Sequence, residues 1–541
     1  MKKHVARCGT LAIVASLVLG PSVPGFGQGM PGHGGAARPT DEKLGRVHFT
    51  TSCSPAVQGD LDRAVALLHS FWYSAAVKAF TAVAAAEPSC AMAYWGVAMS
   101  WWYPLWEPPG ANALQRGTAA VEKAVSLGGK TERERDYIAA IQAFYKDADK
   151  VDHRTRALAY EAAMERVYVK YPDDREGAIF YALALDATAL PTDKSYAKQL
   201  KAGAILEKIF VEQPEHPGIA HYVIHSYDYP PLASRALDAS RRYAKIAPSA
   251  AHALHMPSHI FTRLGLWEES AQSNADSVTA AKPDGDMQGQ LHALDYMAYA
   301  YLQLAQDQKA RGVVDAARSF SKVERETNAT AYAQVAIPAR FVVERRRWAE
   351  AVGLEPIETR YAHVNGITYL ARAVGLARSG DTAGARREVE RLATLREALA
   401  QAKQGYWGDQ VEVQRRAAAG WTARAEGKND EALALLHGAA DLEDSMEKHP
   451  VTPGSILPAR EMLGDLLLDL GQPKLALVEY EASLRREPRR FNGIYGAGLA
   501  AEQAGEPVKA KSYYTDLVAM AAQADGERPE LAHARGFLAK P

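Results

Sequence analysis

Cysteine is scarce: the 541 residues hold only Cys8, Cys53 and Cys90. That excludes a cysteine-rich scaffold, and no C-x-x-C pair is present to suggest a redox or zinc motif. Charge of one sign is also lacking. Lys and Arg number 63 and Asp and Glu 64, a formal net charge of −1. A nucleic-acid binder needs a basic face, and no nucleic acid is expected as a partner. After the N-terminus no apolar run approaches the ~20 residues of a membrane span. Catalytic signatures are absent too: there is no G-x-S-x-G, no P-loop and no H-E-x-x-H. Any hydrolase or transferase would have to be assembled from residues far apart in sequence. No stretch alternates with a period of two, so essentially no sheet is expected.

The first residues, "MKKHVARCGTLAIVASLVLGPSVPGFGQG", place a positive start before a short apolar run and a small-residue break. This is the pattern of a secretory signal peptide, expected over residues 1–27 with cleavage between Gly25 and Gln28. Removing Lys2, Lys3 and Arg7 leaves 60 basic and 64 acidic residues, a net charge of −4. The mature chain is expected to be exported and periplasmic, with no stable membrane span; an uncleaved anchor is the rival reading. Residues 28–45, rich in Gly and Pro, read as a disordered linker, in which Met30 and His33 are weak soft-metal candidates. In an oxidising compartment Cys53 and Cys90 are expected to form a disulfide, the alternative being two buried thiols.

What the chain has in abundance is a period. Gly464 and Gly498 lie 34 residues apart, as do Gly471 and Gly505, Ala476 and Ala510, and Tyr480 and Tyr514. Small residues at the eighth and twentieth positions, glycine at the fifteenth, an aromatic at the twenty-fourth and proline at the thirty-second make up the pattern. It resembles the tetratricopeptide repeat, a helix–turn–helix unit, in an exported bacterial type of protein. The same register puts bends at Gly427, Gly380, near Arg346, near Ala305, at Gly265 and near Phe71. The "ERRR" run at 344–347 reads as a solvated bend. About eight to ten copies are expected, in N-terminal repeats over 46–103, a histidine-bearing set over 216–326 and C-terminal repeats over 327–541. Residues 104–215 fit worst and read as irregular amphipathic helical pairs. The fold class expected is all-α, a right-handed α-solenoid of tetratricopeptide-like repeats.

The resemblance implies that the first helices line a concave groove through positions 2, 5, 9, 12 and 13. His221 and His225 then take positions 5 and 9 of one repeat. His252, His255 and His259 take positions 2, 5 and 9 of the next, and His292 and Asp295 positions 2 and 5 of the one after. Residues three or four apart share a helix face, so the histidines of successive helices are expected to meet.

Neutral imidazole is the commonest metal ligand and suits zinc, copper, nickel and iron. His221, His225, His255 and His259 are the expected metal ligands, with His252, His292 and Asp295 as supporting or additional ligands. Pro257 could break this helix and turn His252 and His255 away from His259. Two metal-free alternatives stand beside the metal: a groove for an anionic ligand, and histidines that mainly pack. Trp95, Met99 and Glu461 are further groove candidates. For Trp95 and Met99, within the aromatic stretch that includes Trp106, core packing is the alternative. His69, at position 13, is expected to face the groove far from the cluster.

The resemblance implies binding of a protein or peptide in the groove. The expected function is an exported repeat protein with a histidine-ligated transition metal, zinc, copper or iron, that binds a partner or small ligand. A metal-dependent enzyme using the same histidines, assisted by Asp295, and a metal-free interaction scaffold remain the alternatives.

Overall fold

Helix follows helix through the described residues, and many of the turns between them fall where the repeat register puts them. The computed structural model describes residues 42–105, 108–320, 323 and 326–540. The signal segment, its cleavage site, Met30, His33 and Trp106 lie outside the described residues. Among the described residues there is no strand, and no helix is long and apolar enough to cross a membrane. The fold is an all-α solenoid of helix–turn–helix repeats, and residues 43–541 form one unit.

The bends show why the register holds. Gly265, Gly380, Gly427, Gly471 and Gly505 all have positive φ. This is the left-handed conformation that glycine adopts at no steric cost and that ends a helix cleanly. Phe71, Ala305 and Arg346 adopt the same conformation at the same repeat position without glycine, with φ of 52°, 55° and 52°. Close helix approach accounts for the small residues. A Cβ added at Gly498 would lie 2.6 Å from the Tyr514 ring, and one at Gly464 2.8 Å from the Tyr480 ring. Both tyrosines are fully buried. Valine at Gly498 is therefore expected to destabilise by about 1–3 kcal/mol through overpacking, read as a lower denaturation midpoint at unchanged slope.

Residues 104–215 form five helices of 14 to 18 residues, from Ala111–Leu127 to Ala197–Glu212. At the other irregular place, the bend at Arg346 leads only to the five-residue Trp348–Val352 helix. Residues 28–41 of the expected linker lie outside the described residues, and its end is packed: Leu44 is buried, and the Lys43 amide donates to Ser249 Oγ at 2.8 Å.

Cys53 and Cys90 are disulfide-bonded, 37 residues apart. The bond ties the entry of the Pro55–His69 helix to the residue that caps the Ala91–Ser100 helix. For a loop of this length, reduction is expected to cost roughly 3–4 kcal/mol, measured as the loss of stability on adding a phosphine reductant.

Distant parts of the solenoid also touch. The run 344–347, expected to be a solvated bend, is instead a docking point for the C-terminal arm. Glu344 is buried and accepts from Arg490 at 2.8 Å, and Arg346 pairs with Asp465 at 2.9 Å. The Trp267 indole donates to the Arg489 carbonyl at 2.7 Å. This return of the arm brings the loop 445–458, between the Asn429–Asp444 and Ala459–Asp469 helices, across the histidine-bearing helices.

Candidate metal centre

Four helical segments carry the histidines. Pro217, at the first position of the Pro217–Tyr227 helix, is preorganised for that place, and His221 and His225 share one face a turn apart. The next helix is interrupted, as Pro257 allows: Ala251–His255 ends and Pro257–Arg263 begins. Met256 between them keeps right-handed helical angles, so the rings are not turned apart. His255 and His259 stay together, their Nε2 atoms 3.0 Å apart. Asp286 caps the Met287–Gln303 helix that carries His292.

The histidines sort into two triads. His221, His225 and His252 form the first; His255, His259 and His292 form the second. In the first, His221 Nε2 lies 3.1 Å from His225 Nε2 and 3.2 Å from His252 Nε2. In the second, the His292 ring centre is 4.5 Å from that of His255. The triads adjoin, with ring centres 6.3 Å apart for His225 and His259 and 6.1 Å for His252 and His255. His252 and His292 thus stand level with the four histidines expected as ligands. The helix Ala251–His255 gives one histidine to each side.

The other nitrogen of three rings is held by an acceptor. His221 Nδ1 lies 2.6 Å from the His69 carbonyl. His255 Nδ1 lies 2.6 Å from Asn274 Oδ1, and the Asn274 amide nitrogen donates to the Ser270 carbonyl at 2.7 Å, which fixes the oxygen toward His255. His259 Nδ1 lies 2.9 Å from Asp228 Oδ2. A carbonyl, an amide oxygen and a carboxylate only accept, so each Nδ1 carries the proton and donates. Each Nε2 then presents a lone pair to its triad. Metal-ligating histidines are oriented in this way, the second nitrogen tied to a carbonyl or carboxylate.

For His255 and His259 the consequence is sharp: two lone pairs face each other at 3.0 Å in a buried site. The contact is repulsive unless a proton or a metal ion is shared between them. Burial pushes all six imidazoles below their ordinary range, His221 to about 3. At neutral pH a proton there is disfavoured, and the two lone pairs are placed so that they could hold a metal ion. The spacing fits: two nitrogens ~2.0–2.1 Å from one ion at tetrahedral or right angles are about 2.9–3.4 Å apart.

Around the triads lies a charged shell. Asp228 follows the Pro217–Tyr227 helix and is buried. It takes Arg263 Nε at 2.8 Å and Lys448 Nζ at 3.3 Å as well as His259. Burial would raise its pKa, but Lys448, Arg263 and the His259 hydrogen bond hold it well below the carboxylate range. Burial brings the Lys448 ammonium down to about 8 against the pull of Asp228. Lys448 belongs to the loop 445–458, and so do the carbonyls of Pro450 and Thr452, which accept from Tyr296 Oη at 3.0 Å each.

Other expected site residues lie elsewhere. Asp295 is buried three residues beyond His292 but faces Arg340, whose Nε donates to it at 3.0 Å. Arg340 also donates to Thr452 Oγ1, Gly454 O and Ser455 O at 2.7, 2.8 and 3.1 Å, clamping the loop. Trp95 and Met99 are core residues, 1% exposed each. Trp95 stacks on Phe49 and Met99 takes the Tyr160 hydroxyl. Glu461 is buried against Arg490, which donates at 2.7 Å. None of these three lines an open groove.

His69 is not far from the cluster: it is buried, and its carbonyl is the acceptor that orients His221. Its ring forms a third group with Glu176 and His216. His69 Nε2 and His216 Nε2 lie 2.9 and 2.8 Å from the two Glu176 oxygens. Tyr222 Oη is 3.0 Å from His69 Nδ1, and the Ile219 amide donates to His216 Nδ1. Every nitrogen here is paired without an ion. Sequence reasoning missed Glu176, His216, Asp228, Lys448 and Arg263. Only Asp228 had a local signal, three residues past His225 where the helix ends.

No protein-family model matches the chain, and no curated protein matches it. Among solved structures, a human IFIT1 dimer with m7Gppp-AAAA is similar at 13% identity. The match covers 80% of this chain and 90% of that one, with a TM-score of 0.37. A human IFIT1 dimer with PPP-AAAA is similar at 10% identity, over 85% and 89% of the two chains, also at 0.37.

Proposed function

We propose that this is an exported helical-repeat protein built around a buried transition-metal centre, held by His221, His225 and His252 on one side and His255, His259 and His292 on the other. The observation that carries the reading is the pair of facing Nε2 lone pairs on His255 and His259. The oriented Nδ1 atoms of His221, His255 and His259 support it. The third histidine group, closed by its own hydrogen bonds, is a structural network. The loop 445–458 crosses the site, clamped by Arg340 and Tyr296, so a protein partner docks away from the histidines. The N-terminal signal pattern and the Cys53–Cys90 disulfide support export.

Protein purified without an affinity tag of histidines is expected to contain about two transition-metal ions per chain by elemental analysis. No bound metal, even after incubation with zinc, copper and iron, would overturn the reading. Because ligating imidazoles must be neutral, protons compete with the ion. Burial keeps these imidazoles neutral well below the ordinary histidine range, so metal content is expected to hold through mildly acidic pH and to fall only as pH approaches about 3, the lowered His221 value.

A further inference from the structure

Three properties of the two triads narrow their chemistry, if the metal reading holds. The ligands are all neutral imidazoles, with no carboxylate among the six. The surrounding charges do not compensate for a cation: the carboxylate nearest the site, Asp228, already faces two cations, Arg263 and Lys448, and Asp295 faces Arg340. Two dications would bring four positive charges into a buried site whose adjoining carboxylate, Asp228, is already matched by cations, at a high desolvation cost. Of the metals that imidazole favours, copper is the one that is stable as a monocation, and two copper(I) ions halve that charge.

Space sets the second limit. Phe71 covers the first triad, its ring centre 4.4 Å from His221 and 5.7 Å from both His225 and His252. Tyr296 covers the second, 5.0, 4.8 and 5.2 Å from His255, His259 and His292. His225, His255, His259 and His292 are each no more than 8% exposed. A ligand that reaches the ions is a few atoms in size. The third limit is adjacency: ring centres about 6 Å apart across the triads allow one small molecule to touch both ions.

We infer that the two triads form a single dinuclear copper centre that binds dioxygen between the ions. In the step this requires, each copper(I) gives one electron. The dioxygen π bond is lost, and the two electrons leave two copper(II) ions bridged by oxygen at the peroxide level. The two negative charges on the oxygen unit offset the charge that the metals gain, so the site keeps the same total charge.

The test uses the full-length protein, stripped of metal and reloaded with copper(I) without air. Two copper ions per chain are expected, with uptake of one dioxygen per chain on admitting oxygen. The oxidised protein is expected to show a copper(II) resonance signal at least ten-fold below that of its copper content, because two bridged ions couple. His252→Ala and His292→Ala, each removing a ligand from one triad, are expected to abolish dioxygen uptake with helicity intact. Should one variant fail to fold, the other carries the test. A resonance signal matching all the copper, or no dioxygen uptake by copper-loaded protein, would overturn the dinuclear inference. Two tightly held zinc ions that copper does not displace would overturn the copper assignment and leave the metal reading standing. No binding of any metal would overturn both.

Discussion

Alanine at both His255 and His259 is expected to leave a folded protein that holds no ion in the second triad. Only His292 would remain there, and one imidazole does not retain a metal. In the wild type a metal that binds the folded state alone adds RT ln(1 + [L]/Kd), about 4 kcal/mol at a thousand-fold excess over Kd. In the variant the second triad's share of that gain disappears, while the first triad keeps its own. Thermal unfolding with and without added metal measures it: a larger upward shift for the wild type than for the variant. The apo proteins behave differently. Removing two facing lone pairs relieves a repulsion, while the lost ring volume opens a cavity, and these effects oppose each other. The decisive comparison is therefore the metal-induced shift, not the apo stability. A variant that kept the wild-type metal content and shift would show that the ion lies elsewhere.

The second large effect is expected at Arg340, which touches no ion. Methionine there removes four hydrogen bonds to Asp295, Thr452, Gly454 and Ser455 and leaves the Asp295 carboxylate buried without its partner. Breaking one side of a buried pair costs about 3–5 kcal/mol. Burial already raises the Asp295 pKa, with Arg340 opposing it, and without Arg340 it rises further. A carboxylate whose folded pKa exceeds its unfolded value is bound more tightly to its proton in the folded state. The Arg340→Met protein should thus be least impaired below the unfolded pKa, near ~4. It should lose stability as pH rises through the folded value. Adding Asp295→Asn is expected to restore part of the loss and flatten the pH dependence. Equal destabilisation at every pH would mean that the clamp on the loop, not the buried charge, dominates.

These two cases show what could be read from the chain and what could not. The 34-residue spacing of Gly464, Gly471, Ala476 and Tyr480 with Gly498, Gly505, Ala510 and Tyr514 reflects contacts within and between neighbouring repeats, so it is visible locally. The histidine positions follow from it, since His221, His225, His252, His255, His259 and His292 fall on one side of successive helices. Even the bends at Phe71, Ala305 and Arg346, where glycine is missing, were legible from the register alone. The partition into triads was not. It depends on which way the Ala251–His255 segment leans between its neighbours, and Pro257 made that direction ambiguous.

Contacts across hundreds of residues were hidden for a different reason. Whether the solenoid returns on itself depends on many small rotations between repeats, and no local pattern records their sum. Hence Lys448 beside Asp228, Arg340 on the loop 445–458 and Arg490 on Glu344 had no sequence signal. Trp95, Met99 and Glu461 follow the same logic. Their repeat positions face inward, but inward in this chain means other helices: Trp95 meets Phe49, and Glu461 meets Arg490.

The central claim is that the two triads each hold a metal ion. It is tested most directly by anomalous X-ray diffraction from crystals of the metal-loaded protein, recorded on either side of the metal's absorption edge. Two peaks are expected, one among His221, His225 and His252 and one among His255, His259 and His292, with none at His69, Glu176 and His216. A loaded crystal with no peak at either triad, or with its only peak at the His69 group, would contradict the account.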